Sequence, residues 1–338
     1  MKKVLVALSG GVDSSYSAYL LKKEGYDVVG VYMKLHPNEE YHRKNLENIE
    51  KVAKFLDIKY HVLDKTDEFD KMVYTPFVEG YKAGITPNPC AVCNRYMKFG
   101  QLELFRRELG ADYLATGHYV RCDGKFLYEA RDKSKDQSYF LFNVEKEVLK
   151  SVIFPLGDML KEDVKKEAMK IELFQSIAKQ KESSEICFVE TSYIEVLKEH
   201  TPVDTPGEVI DQSGKVVGEH KGYMHYTIGK RKGFRMFRAH EPHYVLEILP
   251  HKNQIMVGTR EQLQKRRVVL SGLNMFVEEK EFEAAIKIRY RMPKVKCSVK
   301  IDSKAALVEL EEPVYGLAKG QAGVLYDGER LIGGGWIV

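Results

Sequence analysis

Long apolar runs are missing: no stretch of the 338-residue chain approaches the roughly 18 uninterrupted apolar residues that span a bilayer. The opening Met1-Lys2-Lys3 and the apolar residues 4–8 have the outline of a secretory leader. That run is short and leads into glycines rather than a cleavage site, so a cytoplasmic protein is expected. Cysteine is scarce, with five residues, which excludes a disulfide framework and leaves buried thiols, metal ligands or reactive thiols. No internal repeat or low-complexity segment stands out. Charge is nearly balanced, at a net +4, and that total says little about partners. What remains is an ordinary globular composition, 44% hydrophobic and 30% charged, long enough for about two or three domains.

The first two hundred residues alternate strand and helix patterns. Residues 4–8 read as a buried strand, Gly10-Gly11 as a turn, residues 14–24 as a helix stopped by Gly25, and residues 28–33 as a second strand. Leu46, Ile49, Val52, Ala53 and Leu56 mark one face of a helix over 45–56. Further strands are expected at 60–63 and 113–116, with a helix over 97–109 before the latter. Such alternation indicates a parallel sheet covered by helices, whose ligands sit at the carboxyl ends of the strands, where Ser9 and Gly117 fall. Thr201-Pro202 and Thr205-Pro206-Gly207 punctuate a linker. Beyond it come short β patterns with turns at Gln212-Ser213-Gly214 and Asp327-Gly328. From about 268 to 338 only strand patterns occur, which suggests a small barrel or sandwich.

Charge is distributed less evenly than its total. Lys230, Arg231, Lys232, Arg235 and Arg238 fall in one acid-free run, and Lys287, Arg289, Arg291, Lys294, Lys296 and Lys300 in another. Both suggest a polyanion touching the C-terminal half, although charge alone does not separate that from two solvated faces.

Ser9 to Ser15, SGGVDSS, follows a buried strand and precedes a helix, the context in which a Gly-rich turn cradles phosphate. Gly10 and Gly11 let backbone N–H groups approach phosphate oxygens, and Ser9, Ser14 and Ser15 add hydroxyl donors. Asp13 repels phosphate, so its expected work is handling Mg²⁺ or capping the helix. The loop lacks the Lys of a Walker motif and the spacing of the dinucleotide fingerprint. It matches the PP-loop of ATP pyrophosphatases, which hold the β,γ-pyrophosphate and split ATP between its α and β phosphates.

Cys90 and Cys93 form a CxxC inside TPNPCAVCN, where two prolines predict an ordered non-helical loop just before a helix. The positive end of that helix lowers a thiol pKa. The lack of a second CxxC argues against a four-cysteine zinc site. Cys187, in ESSEICF, is polar up to the thiol and apolar after it, and on its own reads as buried. Cys122 and Cys297 read as structural.

Taken in order, SGGVDSS, TPNPCAVCNRYMKFG (86–100), ADYLATGHY (111–119), KDQSYFL (135–141), ICFVE (186–190), YTIGKRKG (226–233) and a closing GGG resemble the bacterial tRNA-specific 2-thiouridylases. These enzymes install sulfur at C2 of the wobble uridine of glutamate, glutamine and lysine tRNAs. The resemblance runs from residue 4 to the end of the chain. It implies an α/β protein with a PP-loop catalytic domain over 1–198, a small central domain over 199–263 and a C-terminal β-barrel over 264–338. It implies an ATP site from Ala7, Leu8, Ser9, Gly10, Gly11, Val12, Asp13 and Ser14 with Met33 and Gly117. Cys93 matches the nucleophile and Cys187 the persulfide carrier. Asn88, Pro89 and Cys90 match the segment that meets the target base. His118, Lys135, Asp136, Gln137, Arg289, Tyr290 and Gln321 match tRNA-contacting positions.

The implied chemistry suits the residue types. The C2 oxygen of uridine is a poor leaving group, and ATP with Mg²⁺ converts it to an adenylate. Persulfide sulfur on Cys187, loaded by a cysteine desulfurase or sulfur-relay protein, then displaces AMP. Cys93 releases sulfide or resolves the product as a disulfide, which requires the two cysteines to meet on tRNA binding. Cys90 stands where many relatives carry Asp. With Cys93 and Cys187 it offers an alternative, three ligands of a [4Fe–4S] cluster whose open iron binds sulfide.

Overall fold

The computed structural model describes residues 1–180, 186–189, 191–238 and 241–338. They divide into two compact units: Met1–Val73, Cys90–Ser183 and Asp327–Ile332 form one, and Tyr74–Pro89, Ser184–Tyr326 and Gly333–Val338 the other. No helix among the described residues is long and apolar enough to cross a membrane.

The first unit is built on β1 (Lys3–Ala7), β2 (Asp27–Lys34), β3 (Tyr60–Asp64), β4 (Tyr113–Ala115) and β7 (Val152–Ile153), parallel in the order β3-β2-β1-β4-β7. The short antiparallel pair β5 (Val120–Cys122) and β6 (Leu127–Glu129) follows β4. Val4, Leu5 and Val6 of the central strand are fully buried because helices cover both faces of the sheet, which explains the unbroken apolar run in the sequence. β1 pairs with β2 on one side (Val4 opposite Val28) and with β4 on the other (Val4 opposite Tyr113). The connections therefore diverge between β1 and β4, opening a crevice beyond the carboxyl ends of these strands.

Helix α1 (Val12–Lys23) begins two residues before its expected start, directly out of the phosphate loop. Helix α2 (Glu39–Leu56) begins six residues early, where Asn38 Oδ1 accepts the Tyr41 N–H at 3.0 Å. Its first two turns are polar apart from buried His42, so no apolar stripe announced them.

The CxxC segment differs from expectation. Pro89–Cys93 is already helical and continues into a helix whose hydrogen bonds widen to the i→i+5 pattern over Asn94–Gln101, then through Leu102–Glu108. The prolines misled because Pro89 occupies the first helical position, where its missing N–H costs nothing.

The second unit contains a five-stranded sheet and a barrel. β8 (Gly207–Ile210), β9 (Val216–His220), β10 (Phe234–Met236), β11 (Tyr244–Leu249) and β12 (Gln254–Gly258) lie in the order β10-β9-β8-β12-β11. β13 (Lys265–Met275), β14 (Glu281–Lys287), β15 (Val295–Asp302), β16 (Ala305–Val314), β17 (Ala322–Asp327) and β18 (Arg330–Ile337) run β13-β16-β15-β14-β17-β18, and β13–β18 pairing closes them into a six-stranded barrel. Part of the second basic run is the outward face of β15: Lys296 and Lys300 alternate with buried Cys297 and Val299. An apolar cluster of Phe77, Val78, Tyr81, Val196, Leu197, Val203 and Met224 anchors the Thr75–Lys82 helix in this unit.

Candidate active site

The phosphate loop sits at the mouth of the crevice. Gly10 takes φ +81°, and a Cβ there would lie 2.9 Å from the Asn45 carbonyl oxygen, so α2 packs on the loop where only glycine fits. Asn48 Nδ2 donates to the Gly10 carbonyl at 3.1 Å. The first intrahelical bond of α1 is Ser15 N–H to Gly11 O at 3.2 Å, and no side chain caps the helix. The N–H groups of Val12, Asp13 and Ser14 therefore point out of the helix end without intrahelical acceptors, an anion cradle.

The loop hydroxyls do less than the sequence promised. Ser15 Oγ is buried and donates to Gly11 O at 2.9 Å. Ser14 Oγ accepts the Ser9 N–H at 3.0 Å and donates to Gly11 O at 3.1 Å. Both brace the turn, and Ser9 is the exposed hydroxyl of the three.

Asp13 neither caps α1 nor stands open to a cation. Both its oxygens accept from Lys161 Nζ at 2.6 Å, and Tyr119 OH donates to Oδ1 at 2.9 Å. Lys161 is buried and also lies over the Tyr119 ring at 5.6 Å. It is 148 residues from Asp13, so nothing local in the sequence signalled the pair.

The segment after β4 clamps the other side. A Cβ on Gly117 would lie 3.0 Å from Ser14 N and from the Asp13 carbonyl carbon, so the segment after β4 and the start of α1 touch backbone to backbone. Leu8 is buried, and Met33 is half-buried at the end of β2. Ala7, Leu8, the loop, Met33 and Gly117 thus gather at the carboxyl ends of β1, β2 and β4.

His118 is buried, with Thr116 Oγ1 at 2.7 Å from Nδ1 and Lys98 Nζ at 3.2 Å from Nε2. Burial, then the nearby Lys98 charge, hold its pKa well below the usual imidazole range. Asp136 is buried and accepts from the Ala130 and Ser138 N–H groups and the Ser138 hydroxyl. Gln137 exchanges two bonds with Tyr119, each 2.9 Å, and Lys135 is half-buried. In the second unit Gln321 Nε2 donates to the Thr86 and Pro87 carbonyls at 3.1 Å, fixing the approach to buried Asn88 and Pro89. Arg289 Nη2 donates to Ile228 O at 2.9 Å and Gly316 O at 2.6 Å, and the Lys287 ammonium lies 5.8 Å from the Tyr290 ring.

Cys93 is buried and Cys90 half-buried on one helical face, three residues apart. Cys187 is exposed, which corrects the reading that it is buried. Its neighbours Ile186, Phe188 and Val189 supply the apolar contact instead, and Phe188 meets the Tyr74 ring at 5.4 Å and the Phe77 ring at 5.2 Å. The polar residues 182–185 before it, and Glu190, lie outside the described residues. Cys297 and Cys122 are structural as expected, burial pushing the Cys297 thiol up to about 12. Among the described residues no three His, Cys, Asp or Glu side chains gather into a metal-binding group.

Comparison with known proteins agrees with this geometry. Residues 2–191 match the tRNA methyl transferase HUP domain, 194–259 the tRNA methyl transferase PRC-barrel domain and 265–337 the aminomethyltransferase beta-barrel domain. A tRNA-specific 2-thiouridylase MnmA of Nitratiruptor sp. is 70% identical over 337 residues, covering 100% of this chain and 99% of that protein. Those of Sulfurimonas denitrificans and Campylobacter jejuni are 55% and 54% identical, each over 99% of this chain and 98% and 99% of theirs. Among solved structures, a 4-thiouridine synthetase–RNA complex with bound ATP aligns over 53% of this chain and 42% of its own, at 19% identity and TM-score 0.36. The chain belongs to the family of tRNA-specific 2-thiouridylases.

Proposed function

We propose that this chain is an ATP-dependent tRNA-uridine 2-sulfurtransferase that converts the wobble uridine of glutamate, glutamine and lysine tRNAs to 2-thiouridine. The observation that carries the reading is the uncapped start of α1 facing the β1–β4 crevice, built to hold pyrophosphate, in a chain whose relatives bear that name. The reaction class follows. Uridine O2 attacks the α-phosphorus, pyrophosphate leaves with the electron pair of the broken bond, and the N3 proton is lost to solvent. Sulfur from the Cys187 persulfide then attacks C2, and AMP leaves with the C2–O electron pair. Cys93 attacks the Cys187 sulfur, freeing the C2 sulfur and leaving a disulfide that an external thiol must reduce.

In this reading the chain divides at about 199 and 264, the first part carrying adenylation and sulfur transfer and all three parts contacting tRNA. His118, Lys135, Asp136, Gln137, Arg289, Tyr290 and Gln321 serve tRNA binding in this reading, several by bracing backbone. Mg²⁺ enters as part of the ATP substrate, since the Asp13 carboxylate is already held by Lys161 and Tyr119. A resident cluster on Cys90, Cys93 and Cys187 finds no gathered donor group among the described residues, so no step is derived through one. The sulfur donor is a persulfide-bearing desulfurase or relay protein.

The test is anaerobic formation of 2-thiouridine, read by mass spectrometry of digested tRNA, by wild type and Cys90→Ser, each iron-stripped and iron-reconstituted. Activity of both proteins without iron is the expected result. Activity only after reconstitution, lost in Cys90→Ser, would replace the persulfide route with cluster-dependent thiolation.

A further inference from the structure

The CNRYMKFG segment contributes more than Cys93. Lys98 lies five residues beyond it, within the stretch whose hydrogen bonds follow the i→i+5 pattern. That widened winding brings residues five apart toward one face, and such turns concentrate at functional sites. The Lys98 ammonium is half-buried and rests 3.2 Å from His118 Nε2. An ammonium has donors only, so Nε2 must accept. The ring proton of neutral His118 then sits on Nδ1 and donates to Thr116 Oγ1 at 2.7 Å. Phe99 and Phe154, with centroids 5.9 and 6.3 Å from the His118 ring, fix its plane. The depressed pKa of His118 agrees with a ring that stays neutral beside a cation.

The neutrality of the partner decides what Lys98 can do. The other lysine at this crevice, Lys161, has its charge matched by Asp13 at 2.6 Å. Among the described residues no carboxylate forms an ion pair with Lys98, whose partner is the neutral His118 ring. Its location is fixed by three consecutive residues. Gly117 touches the loop backbone at Ser14, His118 holds Lys98, and Tyr119 binds Asp13. His118, which holds the Lys98 ammonium, thus follows directly in the chain on Gly117, the residue that meets the phosphate cradle.

We propose that Lys98 is a further catalytic residue, its ammonium meeting the α-phosphate oxygens of ATP during adenylation, and that His118 is the positioning residue that aims it. The proposal rests on the adenylation reading above. As uridine O2 bonds to the α-phosphorus and the bond to pyrophosphate breaks, negative charge gathers on the oxygens of the α-phosphate. A preorganised cation there lowers the barrier without moving. Lys98 keeps its proton throughout.

Three variants separate charge from structure: Lys98→Gln keeps a donor for His118 without charge, Lys98→Arg keeps charge, and His118→Phe removes the acceptor. The readouts are single-turnover pyrophosphate release with ATP and unmodified tRNA, KM for ATP, tRNA affinity by filter binding, persulfide loading of Cys187 by mass spectrometry, and the melting curve. Lys98→Gln should lower the pyrophosphate-release rate about 10²–10³-fold, the cost of removing one transition-state donor. KM, tRNA affinity, Cys187 loading and melting should stay near wild type. Lys98→Arg should recover at least tenfold, and His118→Phe should fall between. Full-rate pyrophosphate release by Lys98→Gln overturns the assignment, as does a loss located in tRNA affinity, which would make Lys98 an RNA-phosphate contact. Absence of tRNA-dependent pyrophosphate release by wild type overturns the adenylation reading itself, and this assignment with it.

Discussion

Gly10→Ala adds one methyl at the tightest point of the phosphate loop, and its cost can be worked from the structure. At φ +81° a Cβ-bearing residue is strained by ~1–2 kcal/mol. The new Cβ would lie 2.9 Å from the Asn45 carbonyl oxygen and 3.0 Å from its Cα, backbone atoms of α2 that cannot swing aside, which adds ~1–3 kcal/mol of overpacking. The loop escapes by turning its peptide groups, so the penalty falls on the ATP-competent loop conformation rather than on the fold. A penalty of ~2 kcal/mol lowers ATP affinity about 30-fold, and ~4 kcal/mol about 10³-fold. Gly25→Ala is the control: φ is +87° but nothing lies within 4 Å of the new Cβ. It should cost ~1–2 kcal/mol of stability and leave ATP affinity unchanged. Calorimetric titration with a non-hydrolysable ATP analogue reads the affinity and urea unfolding the stability. Gly10→Ala binding ATP within threefold of wild type would refute the cradle geometry.

Lys161→Met strands the Asp13 carboxylate with only Tyr119, and because Asp13 is about one-third exposed (33%) the cost should be ~1–3 kcal/mol rather than that of a fully buried pair. Adding Asp13→Asn should recover most of it in a double-mutant cycle, and simple additivity would show that the pair is not coupled. Stability should also fall as pH drops below about 6.5, the ordinary imidazole value. Burial holds His118 well below it and also lowers His220 and His225, so the unfolded chain takes up protons that the fold refuses. The His118 contribution is complete above that pH and is lost on acidification by up to ~1.4 kcal/mol per pH unit, until the folded ring itself titrates. His118→Gln should flatten the slope of the urea midpoint between pH 6.5 and 5, and an unchanged slope would contradict a neutral buried ring.

Local pattern carried the parallel sheet, the loop and the β-rich C-terminal part into view. Val4–Val6 announced a strand covered on both faces, and the glycines at 10 and 11 a turn whose first position only glycine fits. What the sequence concealed was non-local or masked by a local rule. Lys161 and Tyr119 reach Asp13 across the whole first unit, and no spacing encodes that. Two prolines around Asn88 suggested a loop, yet Pro89 begins a helix because the first turn needs no N–H from it. Cys187 read as buried from the apolar residues after it, and those residues bury themselves while leaving the thiol exposed. Serines that looked like phosphate donors brace the turn from within. Arg289 belongs to a basic run by sequence, but its guanidinium turns inward to two carbonyls.

The central claim is a division of labour, adenylation at the phosphate loop and sulfur delivery from Cys187. The most direct test is one anaerobic reaction, with persulfide donor, ATP, Mg²⁺ and unmodified tRNA, in which pyrophosphate, AMP and 2-thiouridine are all counted for wild type and Cys187→Ser. Wild type should give AMP and 2-thiouridine in equal amounts, and Cys187→Ser should still release tRNA-dependent pyrophosphate while forming no 2-thiouridine. Equal loss of pyrophosphate release and 2-thiouridine in Cys187→Ser, or 2-thiouridine formed without AMP, would contradict the account.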